Sequence, residues 1–251
     1  MTAWARLTWQ AADPAALAAD LERRLGPGAA AHSGFGGERV IRVGGGDLHV
    51  VPWRREAADD EPHRGGRLVF EPVDQGVDVI ASIDDGEPGG AVMLLAVPAF
   101  RLAGVGWATV DVDRAEAELD RWLEPPSGGR EMSRSAGDGA EPHLGARTRV
   151  RVSPGLPGEA LVLAEPATEG RLAASLARDG EGPCALYLEP AIGLEAWLVA
   201  AASRGLGVSP VRPGPLGPSV LLAGIPTGPH LVVVDRRDHS SAGAPGGTID
   251  P

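Results

Sequence analysis

Residues 160–190, ALVLAEPATEGRLAASLARDGEGPCALYLEP, decide the fold, because they join two strands through one short helix. The first apolar run should end at Glu165-Pro166, since proline has no N–H to give to a β ladder. The helix that follows has its inward positions at Leu172 and Leu176. The second strand, CALYLEP, begins after a Gly-rich turn. This segment therefore indicates the junction between two similar halves.

The order of one strand, one helix and three strands occurs three times, and the copies begin near residues 5, 105 and 184. Short echoes support the repeat, because LDRWL at 119–123 matches LERRL at 21–25, and LVLAEP matches LVFEP at 68–72. Each copy would expose one apolar sheet face and needs a partner to cover it. The sequence therefore predicts an α+β protein of three tandem βαβββ modules that pair through their sheets.

Residues 1–100 are predicted to form the N-terminal module together with connecting strand or strands. A strand at 5–9 precedes a helix that starts at Asp13-Pro14, with Asp as the N-cap and Pro at the first helical position. The three strands that complete the module are placed at 38–43, 47–53 and 67–73. Residues 74–100 are compatible with further strands or with a linker around one buried strand.

Residues 101–237 are predicted to hold the paired second and third modules. The stretch 124–142 is rich in Gly, Ser, Pro and charge, and we predict a mobile loop there. The last three strands are predicted around 207–211, 219–224 and 230–235. The tail 238–251 is predicted to be disordered.

The composition argues against several classes of function. The formal net charge is −11 at pH 7 and the pI is near 5.0, so a nucleic-acid partner is not expected. No apolar run approaches the ~20 residues of a membrane span, and no secretory signal is visible. Cys184 is the only cysteine, which rules out an intrachain disulfide and fits a small buried strand residue. A cytoplasmic protein without a membrane partner is therefore expected.

The segment from Gly104 to Asp235 resembles the vicinal oxygen chelate superfamily, which includes glyoxalase-like and bleomycin-resistance-like proteins. The closest pattern is the methylmalonyl-CoA epimerase type, in which a strand ends in LELLEP and, after a helix, GEG leads into the next module. This chain has LVLAEP and then GEGPCALYL. The resemblance implies paired βαβββ modules that close into a glyoxalase-like cup of mixed and antiparallel sheet, with the active site inside.

In that family a divalent metal in the cup polarises vicinal oxygens of the substrate. When the four ligand positions are carried over one by one, they fall on residues that cannot bind a hard cation: Trp107, Val162, Ala185 and Val232. A shift of the alignment by two residues turns Tyr187 or His230 inward and still does not assemble a site. The resemblance therefore implies a degenerate metal site and no cofactor.

These positions supply the candidates for a binding site, and no catalytic residue can be named from the sequence. The residues expected to line the cup are Trp107, Val162, Ala185, Tyr187, His230 and Val232. Trp107 would either stack on a flat apolar ligand or plug the cavity. Glu71 and Glu165 both precede proline at strand ends, and this repeated position favours a structural role, such as accepting backbone N–H bonds.

Three interpretations of function remain open. The first is a metal-independent protein that binds a small apolar molecule in the cup, and its partner would be this small-molecule ligand. The second is a metal-dependent enzyme of the superfamily, a lyase, epimerase or dioxygenase. The third is a non-catalytic scaffold with a filled cup. Residues 1–100 should bury their sheet face against another module, in the same chain or in a two-fold mate, and a homodimer is expected.

Overall fold

The architecture is taken from a computed structural model of the whole chain. It describes residues 6–11, 13–25, 31–33, 39–43, 46–52, 67–71, 100–123, 134–153, 156–223 and 229–236. The predicted strands or linker of residues 74–99 and the predicted tail lie outside these ranges. None of the helices in the described ranges combines the length and the apolarity needed to cross a bilayer.

Residues 100–236 contain two modules with the same order of elements. The second module consists of β6 (Phe100–Ala108), α2 (Val112–Leu123), β7 (Arg134–Glu141), β8 (Ala146–Val152) and β9 (Ala160–Pro166). The third consists of β10 (Gly182–Pro190), α4 (Leu194–Ser203), β11 (Arg212–Gly214), β12 (Gly217–Leu222) and β13 (His230–Val234). Helix α3 (Arg171–Asp179) connects them.

The two modules share one eight-stranded sheet with the order β11-β12-β13-β10-β6-β9-β8-β7. Within each module the last strand lies parallel to the first, and the two first strands, β6 and β10, pair antiparallel at the centre. The edge strands β7 and β11 approach each other, so the sheet curls into a nearly closed cup. The predicted α+β fold of paired βαβββ modules forming a cup is therefore confirmed.

The N-terminal residues form the first module, which is of the same kind. It consists of β1 (Arg6–Ala11), α1 (Pro14–Leu25), β2 (Ala31–Ser33), β3 (Arg39–Val43) and β4 (Gly46–Pro52), and β5 (Arg67–Glu71) follows it. The backbone N–H of Ala16 donates to Asp13 Oδ1 at 3.0 Å, which confirms the predicted cap of α1.

One element of this module was assigned wrongly from the sequence. The sheet order is β2-β3-β4-β1-β5, so the short strand β2 is the first of the three strands and β5 is not the third. Strand β5 instead pairs antiparallel with β1, as β10 does with β6. It therefore occupies the position of the first strand of a further module. The error arose because three residues, AHS, carry no periodicity that could indicate a strand.

The N-terminal module packs against the outer side of the eight-stranded sheet. Trp9 and Ile41 are fully buried in the same apolar cluster as Phe100 and Trp197. The guanidinium of Arg24 donates to the carbonyl oxygen of Ala223, which adds a polar contact between the two sheets. These contacts correspond to the predicted arrangement within one chain. The homodimer stays a prediction.

Two predicted segments of the second and third modules differ from the structure. The loop prediction for 124–142 is wrong over 134–141, because these residues form strand β7, and residues 124–133 lie outside the described ranges. The strand predicted around 207–211 lies at β11, Arg212–Gly214, whereas Val208 makes only an isolated bridge to Leu222. Both edge strands contain few large apolar side chains, so their sequences resemble those of loops.

Ion pairs add to the apolar packing of helix α2 on the sheet. Arg149 donates to Glu116 and Asp113, and Arg151 donates to Glu116 at 3.0 Å and to Asp120. At the start of the helix, Glu165 Oε2 accepts the backbone N–H of Val112 at 3.0 Å. The structural role predicted for Glu165 is therefore confirmed, while the side chain of Glu71 lies outside the described residues.

Gly158 tests how tightly the cup is built. It has φ +67°, and a Cβ there would lie 2.6 Å from Gly104 N and 2.8 Å from Ala103 C. Gly205 has the same φ with nothing within 4 Å of its Cβ position. We expect Gly158→Ala to lower the free energy of unfolding by about 1–3 kcal/mol more than Gly205→Ala, because only the first meets backbone atoms. Urea denaturation of both variants checks this, and equal losses would contradict it.

Candidate functional site

The eight-stranded sheet buries a separate apolar cluster on each face. The outer cluster joins the sheet to α2, α4 and the N-terminal module. The inner cluster, here called the cup cluster, includes sixteen buried residues. Its members are Ala103, Ala108, Leu144, Ala146, Val150, Ala160, Val162, Ala164, Leu172, Cys184, Ala185, Tyr187, Leu216, Leu221, Val232 and Val234. The cup cluster is the place where a ligand of this chain would have to bind.

Five of the six predicted site residues lie on this inner face. Val162, Ala185, Tyr187 and Val232 belong to the cup cluster. His230 pairs with Ala185 in the parallel ladder of β10 and β13, which places both side chains on one face. Whether any of the five contacts a ligand stays a prediction.

The placement of Trp107 in the cup is wrong. Trp107 packs against the outer cluster, and Gly106 takes the inward position beside Val162. The physical reason is the two-residue period of a strand, since a shift of one residue turns a side chain to the other face. A glycine shows no preference for either face in the sequence, so it concealed the alternation. Trp107 therefore neither stacks on a ligand in the cup nor plugs it.

Four of the predicted site residues are enclosed by other atoms of the chain. Val162, Ala185, Tyr187 and Val232 each have 0% of their surface exposed, which leaves no water-sized space beside them. Three leucines from outside the strands join the cup cluster: Leu144 in the β7–β8 turn, Leu172 in α3 and Leu216 in the β11–β12 turn. Packing at Gly106 is close, since a Cβ there would lie 2.9 Å from Ala185 Cβ and 3.4 Å from Tyr187 Cε2.

One carboxylic acid is buried among these apolar groups. Glu141, the last residue of β7, is fully buried, and the Tyr187 hydroxyl donates to its Oε2 at 3.1 Å. The backbone N–H of His143 donates to Oε1, also at 3.1 Å. Burial raises the pKa of Glu141 above its ordinary value, and the two hydrogen bonds offset only part of this effect. Burial and the adjacent Glu141 raise the pKa of Tyr187.

The imidazole of His143 continues this polar network into the third module. Its Nε2 lies 3.0 Å from the carbonyl oxygen of Ser219, and its Nδ1 lies 3.1 Å from Ser209 Oγ. Ser209 Oγ also accepts the backbone N–H of Leu221 at 2.8 Å. Burial lowers the pKa of His143, so the neutral ring is favoured at pH 7. Glu141 and His143 thus connect the edge of the second module with strand β12.

A second polar contact lies between α3 and β13. Ser175 Oγ is 3.3 Å from His230 Nε2, and both residues are 7% exposed. Burial, together with the charges of Arg171 and Arg178, lowers the pKa of His230 to about 4, so the ring is neutral near pH 7. The contact fixes α3 over the cup and brings no carboxylate that could orient a catalytic histidine.

Among the described residues, no three His, Cys, Asp or Glu side chains lie close enough together to hold an ion. The inward positions at the centre of the cup are Gly106, Val162, Ala185 and Val232, which offer no oxygen or nitrogen ligand. Burial raises the pKa of Cys184 to about 12, which disfavours the thiolate that would bind a soft metal.

Glu141 and His143 are the residues that sequence reasoning missed. Glu141 falls in the stretch 124–142 that was predicted to be a loop, and His143 directly follows this stretch. A Glu-Pro pair ends β7, as Glu165-Pro166 ends β9 and Glu189-Pro190 ends β10. That recurring pair was the available signal for a strand end at Glu141.

The fold places the chain among proteins built from paired βαβββ modules that enclose a cup. No family model matches the chain, and no curated relative matches it in sequence. Several solved structures are similar to the chain in fold. A hypothetical protein from Bacillus halodurans C-125 has a TM-score of 0.44 and 16% identity, and the match covers 56% of this chain and 97% of that one.

Two further solved structures are methylmalonyl-CoA epimerases. The Mycobacterium tuberculosis epimerase has a TM-score of 0.45 and 19% identity, covering 57% of this chain and 91% of its own. The Streptomyces coelicolor epimerase, in complex with 2-nitronate-propionyl-CoA, has a TM-score of 0.41 and 20% identity, covering 53% and 96%. Because each TM-score is below 0.5, the similarity supports no statement about the activity of this chain.

The pH dependence of stability tests the buried state of Glu141. Its pKa is raised in the folded protein, so the folded state binds more protons than the unfolded state just above pH 4.5. Stability contributed by Glu141 is therefore present below this value and is lost as the pH rises through the folded pKa. His143 and His230 have the opposite slope, because their pKa values are lowered on folding.

We expect Glu141→Gln to remove the Glu141 contribution and to leave that of the two histidines. The variant should exceed the wild type in stability by about 1–3 kcal/mol at pH 8, because a buried carboxylate is costly when ionised. This advantage should shrink as the pH falls toward 5. Urea denaturation of both proteins across this range measures the difference, and a difference independent of pH would contradict the assignment.

Proposed function

We propose that this chain is a metal-independent, non-catalytic protein of glyoxalase-like architecture, a scaffold whose cup is filled by its own side chains. The complete burial of Val162, Ala185, Tyr187 and Val232 carries the proposal. A substrate requires a cavity of about 300 Å3 or more, and these four side chains border no water-sized space. The expected cytoplasmic location is part of the proposal.

The chemistry of the cup supports the absence of catalysis. The inward positions at its centre offer no oxygen or nitrogen to a hard cation, so a Lewis acid would have to bind elsewhere. Glu141 is buried beside the cup cluster, and both oxygens of its carboxyl group already accept hydrogen bonds. A general base must reach the proton it removes, whereas Glu141 is fully buried.

Metal analysis tests this proposal directly. We expect untagged protein purified without chelators to hold far less than one equivalent of zinc, nickel, manganese or iron, measured by mass spectrometry. Its melting temperature should be the same with added metal and with a chelator, because a bound ion would stabilise the folded state. Stoichiometric metal would contradict the proposal and support the metal-dependent alternative.

The alternative of a small apolar ligand is favoured by one observation, the apolar lining of the cup beside the Tyr187–Glu141 polar pair. Few polar groups in an apolar surface are typical of small-molecule sites. Binding would require a filling side chain, such as Leu216, to move aside. The wild type of a filled scaffold would bind no small molecule in the cup, whereas the wild type of a ligand-binding protein would bind one.

Leu216→Ala separates them. In a filled cup, Leu216→Ala should cost about 2–5 kcal/mol of unfolding free energy and create a dry cavity. Benzene should then raise the melting temperature of the variant and leave that of the wild type unchanged. Leu198→Ala, which truncates a partly buried leucine packed against the outer cluster, is the control, and it should create no closed cavity for benzene. Stabilisation of the wild type by benzene would favour the ligand-binding alternative.

A further inference from the structure

The polar network around Glu141 lies where the cup closes. Its residues come from one edge strand, from the strand beside the other edge and from the centre of the eight-stranded sheet, since Glu141 ends β7, Ser219 belongs to β12 and Tyr187 belongs to β10. The edge strands β7 and β11 approach each other here, and a Cβ at Gly214 would lie 3.6 Å from Glu141 Oε2. The network thus bridges a seam that no continuous β ladder crosses among the described strands.

We propose that Glu141, Tyr187 and His143 form a pH-sensitive latch that holds this seam shut, and that ionisation of Glu141 weakens it. The proposal concerns the regulation of the same cup, and it rests on the proposed function only in taking the cup as filled. A neutral Glu141 accepts the Tyr187 and His143 hydrogen bonds without a charge to solvate. An ionised Glu141 gains from reaching water, and it can do so only if the seam opens.

The groups that face Glu141 set the direction of this switch. Tyr187 and Cys184 face it from β10, and both remain neutral because burial raises their pKa values. His143 follows in the turn after β7, and Arg212 of β11 acts on His143. Burial and Arg212 both favour the neutral imidazole, so the ring of His143 does not compensate the charge of an ionised Glu141. Opening should therefore increase as the pH rises.

Cys184 provides a reporter of opening. It is the only cysteine, it is 7% exposed, and it belongs to the cup cluster. Iodoacetamide should alkylate it only when the cup opens, because a buried thiol with a pKa of about 12 is inert. The intrinsic pH dependence of the thiol is common to all variants, so the rate ratio between two variants reports opening alone.

The experiment measures alkylation of Cys184 by mass spectrometry between pH 5 and 8 in the full-length chain. The ratio of the wild-type rate to the Glu141→Gln rate should rise several-fold from pH 5 to pH 8, because ionisation of Glu141 favours the open seam in the wild type alone. Tyr187→Phe, which removes the hydroxyl donor, should raise the rate near pH 8. Glu165→Gln is the matched control, because Glu165 also accepts a backbone N–H but lies outside the cup, and its ratio to wild type should not change with pH.

A ratio that stays constant with pH would overturn the latch. So would alkylation rates that follow the urea-derived free energy of global unfolding, because Cys184 would then react only from the unfolded chain. These results are separable from the proposed function. Stoichiometric metal would end the proposed function and leave the alkylation ratio meaningful, whereas a flat ratio would end the latch and leave the metal analysis unaffected.

Discussion

The antiparallel pairing of β6 with β10 is the interaction on which the rest of the structure depends. In the described sheet it is the ladder that joins the second module to the third. It brings Gly106 against Ala185 and thereby fixes which side chains point into the cup. The same pairing orients α2 and α4 on the outer face, where the N-terminal module adds its own apolar residues. One register thus decides the contents of both faces.

The register also explains the close packing at the centre of the cup. Small residues at Gly104, Gly106 and Ala185 let β6 and β10 approach the side chains above them, and Tyr187 and Leu216 take the space that results. A Cβ at Gly104 would lie 3.1 Å from Leu216 Cδ1, so the turn between β11 and β12 contacts the inner face of β6. Close packing of this kind stabilises a core and leaves little room for a ligand.

Apolar periodicity made the fold predictable, and the lack of it accounts for the errors. Leu172 was placed correctly because its helix carries regular apolar spacing, and its side chain is fully buried. Strands β2 and β7 were missed because sequences such as AHS and RSAGDGAE have no apolar alternation. The position of Trp107 was wrong by one residue because glycines on both sides of Val105 hide the face of the strand. Glu141 was missed together with β7, because its hydrogen-bond partner Tyr187 is distant in the sequence.

A buried glutamic acid needs a physical reason, because an apolar residue of similar volume is often at least as stable. Glu141 contacts Tyr187 and the backbone N–H of His143, and the His143 ring contacts Ser209 Oγ and the carbonyl oxygen of Ser219. Directional hydrogen bonds define the relative position of two strand edges, whereas apolar contacts alone tolerate sliding. We interpret the acid as the group that selects one closed arrangement of β7 and β11. The same burial makes this arrangement sensitive to the charge on Glu141, so specificity and pH sensitivity have one cause.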